Sequence, residues 1–532
     1  MKLNRLKIAN CSRVADIDIE VRDNMVLIGP NGSGKTTVLL CLDMLFGMSN
    51  QRLYGVLSEG FIRDESQPLI VEAALGNLDD DELAAFPDEV DALNGNELMV
   101  RLEAYADEDE ISVARIFPNS GAQKAPSKVQ KETFGWTLLQ AQSGIRDIRQ
   151  GRRSIVDEAI SEIDLGADEG KVSDIVQQMT ELLLQSSTLG AARESLAKQL
   201  SQTLPFNLAK DDVEFIPGAA VDDDLMSDVR LRVREDGRMR LVHEHSDGTR
   251  ALFAMGIYDL LHKGANILAI DEPEAHLHPS SQRSLAKMLK SGNGQKVLVT
   301  HSPTIAGSFE PDEIVVIRLD GNAVQPKKGF LSGDSGTLAR WWIGRQLEPL
   351  TAGAVIAVEG PSDRIIVNRV STVLGFDLDR HDVVVVETSG CGDMKVVESI
   401  FRDGGFGIPL FELVDEDAED DAAKRLGVDP SDLEGHNVFV SRKDLEDEYV
   451  QAIGAKRLWD RMKAANTFSK NVFQLCKVEP DGYPTEANLA QFIRAKKKNR
   501  KIPSALVASE LIDEATAPNV KSVMRLLEAV SS

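Results

Sequence analysis

MVLIGPNGSGKTTVLLCLDMLF, Met25 to Phe46, decides the fold: an apolar strand runs straight into a glycine-rich loop, and the loop into an apolar helix. Gly29, Gly34, Lys35 and Thr36 satisfy GxxxxGK[ST], with strand, loop and helix in the order that pattern requires. In such a turn the backbone N–H groups and the helix N-terminus converge on phosphate oxygens. Asn31, Gly32, Ser33, Gly34, Lys35, Thr36 and Thr37 are therefore the expected nucleotide contacts. Lys35 is placed at the β/γ phosphates and the Thr36 hydroxyl on Mg2+, a small hard cation that takes oxygen ligands.

Downstream, ILAIDEPEAHLHP carries Asp271 and Glu272 to the end of a second apolar strand. The expected roles are Mg2+ binding for Asp271 and polarisation of the attacking water for Glu272. KVLVTHSP ends a third strand at His301, whose imidazole is placed to sense the γ-phosphate. Upstream, LKI and the alternating ADIDIEV read as strands, as does MVRLEAYADEDEISVARIF from Met99 to Phe117 with its acidic turn. DVRLRVRED and RMRLVHE read as strands too. Between 154 and 203 the period changes: Val172, Ile175, Val176, Met179, Leu182 and Leu183 recur at helical spacing, which suits a core or dimer contact.

The 532 residues are enough for two or three domains with separate cores. A 42% hydrophobic and 27% charged composition is that of a folded globular chain, and no run of some 18 apolar residues suggests a membrane span. With no secretory pattern, the expected location is the cytoplasm. Cys11, Cys41, Cys391 and Cys476 are scattered and form no CxxC pair, so structural thiols are expected. Sixty Lys+Arg against 85 Asp+Glu give a net charge of −25, which excludes binding of nucleic acid through overall charge. A DNA partner needs a local basic surface, for which the candidates are Arg146, Arg149, Arg152 and Arg153 and the run from Lys496 to Lys501.

After residue 350 a second alternation begins: AVIAVEG, DVVVVET, PLFELVDED and NVFVSR, with helical stretches between them. Short apolar strands alternating with helices imply a smaller α/β domain with a largely parallel sheet, followed by mostly helical chain after about 450. Glu359 ends one strand with Asp363 four residues on; Asp415 and Asp417 end another; Glu446 follows a third. C-terminal strand edges of a parallel sheet face one crevice, so these carboxylates are expected to converge. Clustered carboxylates repel, and a divalent metal relieves that repulsion; helix caps and solvated loops explain any single acidic position but not the shared strand-end placement.

GPNGSGKTT, IDEPEAHLHPSSQ and VLVTHSP resemble ABC-type ATPases of the SMC and RecF kind, in which two heads sandwich ATP. HSDGTRALF lies where that family's signature loop belongs and keeps one serine and one glycine, Ser246 and Gly248, of the usual LSGGQ. Gln67 is the candidate for the family's Q-loop glutamine. The ExxxD and DxD pair resembles the Toprim domain of topoisomerases, primases and certain nucleases. That resemblance implies metal binding at Glu359, Asp363, Asp415 and Asp417, with Glu446 beside them, Mg2+ or Mn2+ as the ion and phosphodiester cleavage as the chemistry. An ABC-type ATPase followed by Toprim is the architecture of the OLD (overcoming lysogenisation defect) family nucleases, to which the nuclease subunits of Gabija antiphage systems are similar. Members carry a catalytic lysine near the C-terminus, which here implies Lys501, with Lys498 the alternative.

The expected fold is thus α/β: an ABC/SMC-like P-loop ATPase head, 1–153 and 206–345, interrupted by a helical insertion at 154–205 that serves dimerisation, and followed by a Toprim-like parallel-sheet domain with a helical C-terminal region at 346–532. The expected function is an ATP-regulated, metal-dependent DNA endonuclease in antiphage defence or DNA processing, acting as a homodimer or higher oligomer, without membrane association. The other reading is an ATP-switched repair or sensor scaffold with a silent Toprim domain that recruits a helicase or effector encoded nearby.

Overall fold

The computed structural model describes residues 1–92, 95–107, 110–120, 124–140, 232–235, 238–241, 266–275, 277–291, 294–331, 333–388, 391–402, 404–495 and 500–531, with isolated helical positions at 178, 181, 185, 187 and 194. Most of the 154–205 insertion, the signature-like loop with Ser246 and Gly248, the Arg146–Arg153 cluster and Lys498 lie outside the described residues.

In chain order the strands are β1 (Lys2–Ala9), β2 (Ile17–Glu20), β3 (Met25–Ile28), β4 (Leu69–Gly76), β5 (Val90–Asp91), β6 (Glu97–Asp107), β7 (Glu110–Ile116), β8 (Trp136–Gln140), β9 (Arg232–Glu235), β10 (Arg238–Leu241), β11 (Ile267–Asp271), β12 (Gln295–Val299), β13 (Ile314–Ile317), β14 (Ala323–Val324), β15 (Ala354–Val358), β16 (Val383–Glu387), β17 (Leu410–Asp415) and β18 (Val438–Ser441). An antiparallel sheet orders β2-β1-β4-β6-β5, with β7 paired to β6. The second sheet, β14-β13-β3-β12-β11-β8, is parallel apart from the β13–β14 edge. The third, β16-β15-β17-β18, is parallel throughout. β9 and β10 form a separate two-stranded ribbon.

Side chains alternate across a strand, so an all-apolar strand must be covered on both faces. Met25 and Leu27 of β3, with Val297 and Val299 of β12, look into a core shared with the antiparallel sheet; Val26, Ile28 and Leu298 look into the opposite one. That second core continues into the third sheet through Val355, Ala357, Leu410, Val414 and Val440. Ile356, Val358, Phe411, Leu413 and Phe439 point away from it, into a third core closed by the C-terminal helices. The molecule is a stack in which the two parallel sheets share one core. Polar links reinforce that junction: Arg318 donates to the carbonyls of Phe406 (3.4 Å) and Gly407 (3.1 Å), and Trp342 meets Phe401 edge-on at 5.4 Å.

The helix Lys35–Phe46 lies between the first two sheets and is buried nearly all round. Its C-terminal end is held by buried Arg115 of β7, which donates from Nε to Met44 O (2.8 Å) and also reaches Met48 O. Cys11 and Cys41 are buried in this first core, and Cys476 is buried in the third. Among the described residues no helix is long and apolar enough to cross a membrane.

Glu412 of β17 has no solvent exposure and is balanced by two guanidiniums, Arg402 on Oε1 (2.7 Å) and Arg425 on Oε2 (3.0 Å); Arg425 also donates to Glu398 (3.1 Å). Removing one partner of a buried pair leaves the others uncompensated, which costs roughly 3–5 kcal/mol. Glu412→Ala is expected to lower the melting temperature of the full chain clearly, and Glu412→Gln, which keeps an acceptor, by less; differential scanning calorimetry reads both.

Candidate functional site

Two clusters of polar groups stand at the C-terminal edges of the two parallel sheets. In the first, β3 feeds the loop Gly29–Gly34. Gly29 has φ 155° and Gly34 φ 102°, and a Cβ would lie 2.1 Å from Ile317 O at Gly29 and 2.6 Å from Arg13 O at Gly34. Only glycine tolerates this combination of backbone angle and approach. Lys35 is buried, and its Nζ donates to the carbonyls of Gly29 (2.9 Å) and Pro30 (2.7 Å), so the ammonium is folded back over the loop. Burial lowers its pKa, and the facing Glu272 and Asp271 carboxylates act against that shift.

β12 lies between β3 and β11, so His301, just past its end, falls between the glycine loop and Asp271–Glu272. Thr36 Oγ1 is 3.4 Å from Asp271 Oδ1, and His301 Nε2 is 3.8 Å from Glu272 Oε1. Burial, then the neighbouring Glu272 charge, raises the Asp271 pKa. Glu272 adopts φ 48°, a left-handed conformation that costs a side-chain-bearing residue on the order of 1 kcal/mol, while its N–H donates to Val299 O (2.9 Å). A cavity of about 220 Å³ is lined by Asn31, Gly32, Gly34, Lys35, Thr36 and Thr37 on one side and Glu272 and His301 on the other. Ser33 is buried beneath the loop. Gln67 is exposed in the turn after Asp64 and does not line this cavity.

Sequence reasoning passed over two residues here. Arg13, in the β1–β2 connection, lines the cavity. Glu274 accepts from Thr300 Oγ1 (2.8 Å) and from the His301 N–H (2.6 Å), fixing the end of β12 and hence the imidazole. The second glutamate of DEPE was the available signal for Glu274; nothing in the local sequence marks Arg13.

The second cluster sits where the third sheet changes direction: β15 is flanked by β16 on one side and β17 on the other, and ligands of open α/β sheets bind in the crevice at such a switch point. Glu359 follows β15. Asp363, on the first turn of the helix Pro361–Val373, is buried and accepts from Gly360 N (3.0 Å) and Ser362 Oγ (3.2 Å). Asp415 ends β17, and its Oδ1 accepts from Leu445 N (3.2 Å). Glu446, on the helix Leu445–Ile453, is 1% exposed; its Oε2 forms an ion pair with Lys501 Nζ at 3.1 Å, and its Oε1 is buried without a donor. Lys501 arrives on the helix Lys501–Leu511, which packs against the helix Pro361–Val373.

Burial, then the Asp363 and Glu446 charges, pushes the Asp415 pKa up to about 8. Burial pushes Glu446 up to about 7, with Lys501 opposing the rise. Asp363 is raised by burial against the pull of Lys501. Burial alone would lower the Lys501 pKa, but Glu446, Asp415 and Asp363 outweigh it and raise it. Tyr449, one turn after Glu446, is fully buried with its hydroxyl unpartnered, and its pKa is raised by burial and then by the Glu446, Asp363 and Asp444 charges.

Convergence on a metal by all five carboxylates needs correction. Asp363, Asp415 and Glu446 gather around Lys501, and the Glu359 charge acts on Asp363 and Asp415. Asp417 lies exposed on the short turn Glu416–Ala418, because the chain leaves the sheet immediately after Asp415. Among the described residues no three His, Cys, Asp or Glu side chains are already gathered into a metal cage. Like charges keep apart, and the Lys501 ammonium supplies the compensation in this arrangement. The donors nevertheless suit a divalent cation: hard carboxylate oxygens, one of them buried and unpartnered, with pKa values raised by burial and then by one another's charge.

The family model described as "AAA domain, putative AbiEii toxin, Type IV TA system" matches residues 25–307, and that described as "Overcoming lysogenization defect protein-like, TOPRIM domain" matches residues 350–417. The chain is similar to an OLD nuclease of Thermus scotoductus, 23% identical over 78% of this chain and 82% of that one. It is similar to Endonuclease GajA of Bacillus cereus at 21% identity, over 73% of this chain and 71% of the relative. The Old nuclease of Escherichia phage P2 is 22% identical over 78% and 77%.

A carboxyl whose pKa is higher in the folded than in the unfolded chain stabilises the fold below its unfolded value and loses that contribution as pH rises through the folded one. With Asp415 near 8 and Glu446 near 7, the metal-free chain is expected to lose thermal stability progressively from about pH 5 to pH 8.5. Asp415→Asn flattens part of that slope, and melting curves in chelator across this range measure it.

Proposed function

The chain belongs to the AAA-domain family matched over 25–307 and to the overcoming lysogenization defect family of nucleases, and from that premise we propose that it is a nucleotide-gated, metal-dependent DNA endonuclease. The observation that carries this reading is the placement of half-buried Asp415 at the switch point of the third sheet, beside buried Asp363 and Glu446 and the Lys501 ammonium. A buried acidic group with one cation in a crevice suits phosphodiester chemistry better than a surface scaffold, because burying like charges is costly unless they have work to do.

Glu359, Asp363, Asp415 and Glu446 would hold Mg2+ or Mn2+. A bound divalent ion supplies stabilisation of the attacking and leaving oxygens of the phosphodiester. Lys501, kept cationic by its carboxylate neighbours, places its ammonium against the scissile phosphate and offsets negative charge as it builds there.

At the other site Lys35 would exchange its two carbonyl acceptors for the β/γ phosphates of ATP, Thr36 and Asp271 would hold Mg2+, and Glu272 with His301 would orient the attacking water. The head then acts as the switch, through a homodimer or higher oligomer in which Ser246 and Gly248 of one copy meet nucleotide on the other. Antiphage defence or DNA processing, with a helicase or effector encoded nearby as partner, is the setting that the resemblance to OLD-family nucleases implies.

Purified chain incubated with supercoiled plasmid and Mg2+ or Mn2+ is expected to nick or linearise it, with ATP altering the rate. Asp415→Ala is expected to reduce cleavage on the order of 100-fold or more, in line with losing a metal ligand. Lys35→Ala is expected to abolish nucleotide binding and the ATP effect while leaving the Toprim site assembled. No cleavage by the unaltered chain with either metal, with or without ATP, would overturn the endonuclease reading.

A further inference from the structure

Beside the Toprim carboxylates lies a cleft of about 560 Å³ whose walls include Arg442, Lys443, Lys521 and Arg525. Ser441 of β18 pairs in register with Asp415 of β17, so Arg442 and Lys443 leave the sheet next to the proposed metal site. The connection is fixed there: Lys443 N donates to Glu416 Oε2 (3.1 Å), and Leu445 N to Asp415 Oδ1 (3.2 Å). Lys443 is held at φ 63°. The cleft and the metal site use different faces of one helix, Leu445–Ile453, with Glu446 turned to Lys501 and Asp447 and Glu448 turned to the cleft.

Its two acidic wall residues are already committed. Asp447 is 4% exposed and faces Lys443 (3.4 Å) and Arg494 (3.6 Å); Glu448 accepts from Ser522 N (3.0 Å), Ser522 Oγ (2.8 Å) and Arg442 N (3.2 Å). The cations are not committed in the same way. Arg442, Lys443 and Arg525 have side chains 67%, 58% and 40% exposed, and Lys521 forms no ion pair among the described residues. Lys443 pairs with Asp447 through a mostly exposed side chain, Arg442 meets exposed Glu416 and half-buried Glu419, and Arg525 meets exposed Glu434; pairs with exposed partners are weak and salt-screened. The lining carries these four cations against two carboxylates, Asp447 and Glu448, a local surplus of positive charge in a chain of net charge −25.

We propose that this cleft seats the phosphodiester backbone of a DNA strand and leads it to Asp415. The assignment rests on the endonuclease reading above and adds the surface that holds the substrate. Because the walls offer exposed cations to the backbone, the expected recognition is of phosphates and independent of sequence.

The test uses the full chain carrying Asp415→Ala, to prevent cutting, titrated in Mg2+ against a fluorescein-labelled DNA duplex at several salt concentrations. Adding Lys443→Gln, Lys521→Gln and Arg525→Gln is expected to weaken binding at least tenfold and to lower the slope of log affinity against log salt by about 2–3, near 0.9 for each phosphate that is no longer neutralised. A control with the same change in net charge at exposed positions elsewhere, Lys128→Gln, Lys424→Gln and Lys470→Gln, is expected to change affinity less than twofold. If the triple cleft variant melts lower than the control, Lys521→Gln alone carries the test, with a slope change of about 1 expected. Equal affinity and equal slope for cleft and control variants overturn the assignment. If the unaltered chain cuts plasmid while cleft and control variants bind alike, only the cleft is wrong; if it neither cuts nor binds DNA, the endonuclease reading falls with it.

Discussion

Both sites depend on one constraint: a strand that is apolar on both faces must be buried on both, and only its end reaches water. β3 and β15 are such strands, β11 is one up to Asp271, and β12 beyond Gln295 and Lys296 and β17 around the ion-paired Glu412 are buried in the same way. Each delivers a site residue at its C-terminal edge: Gly29 and the phosphate loop after β3, Asp271 on β11, His301 after β12, Glu359 after β15 and Asp415 on β17. Strand order then decides the grouping. β12 between β3 and β11 sets His301 between the loop and Asp271–Glu272, and β15 beside β17 brings Glu359 and Asp415 to one crevice.

The same burial joins the two sites mechanically. Val26 and Ile28, immediately before the phosphate loop, share a core with Val355, Ala357 and Val414, immediately before the Toprim carboxylates. Close-packed interiors transmit displacement because they have few voids to absorb it. The donation from Arg318, which follows β13, to the carbonyls of Phe406 and Gly407 adds a directional link across the same junction.

Electrostatics sets the chemistry available at each end. In the nucleotide site one ammonium faces two carboxylates across a small cavity and is parked on backbone carbonyls, so it is available for phosphate without leaving a buried charge uncompensated. In the Toprim site one ammonium serves buried Asp363 and Glu446 and half-buried Asp415; burial first, and the charge of their neighbours second, raises their pKa values. A divalent cation and a phosphate are the two species that such a site can take up together.

The strands that carry the sites, the glycine loop, Asp271, Glu272 and His301, and the strand-end carboxylates are legible in the order of amino acids alone, because burial pattern and loop chemistry are local properties written in consecutive residues; β4, β8 and β13, which complete the first two sheets, are not read from it. GxxxxGKT needs only its own backbone angles, and AVIAVEG needs only its own alternation. Packing between distant segments settled what local sequence does not encode. The partnership of Lys501 with Glu446 spans 55 positions and depends on the packing of the helix Lys501–Leu511 on the helix Pro361–Val373. Asp417 fell outside the buried group because the chain turns off the sheet two residues earlier, although DxD alone makes its two aspartates look equivalent. Arg13 reached the nucleotide cavity, and Lys521 and Arg525 reached the cleft beside Asp415, only because distant segments fold back onto the ends of buried strands, and long-range packing of that kind leaves no periodic trace in the chain.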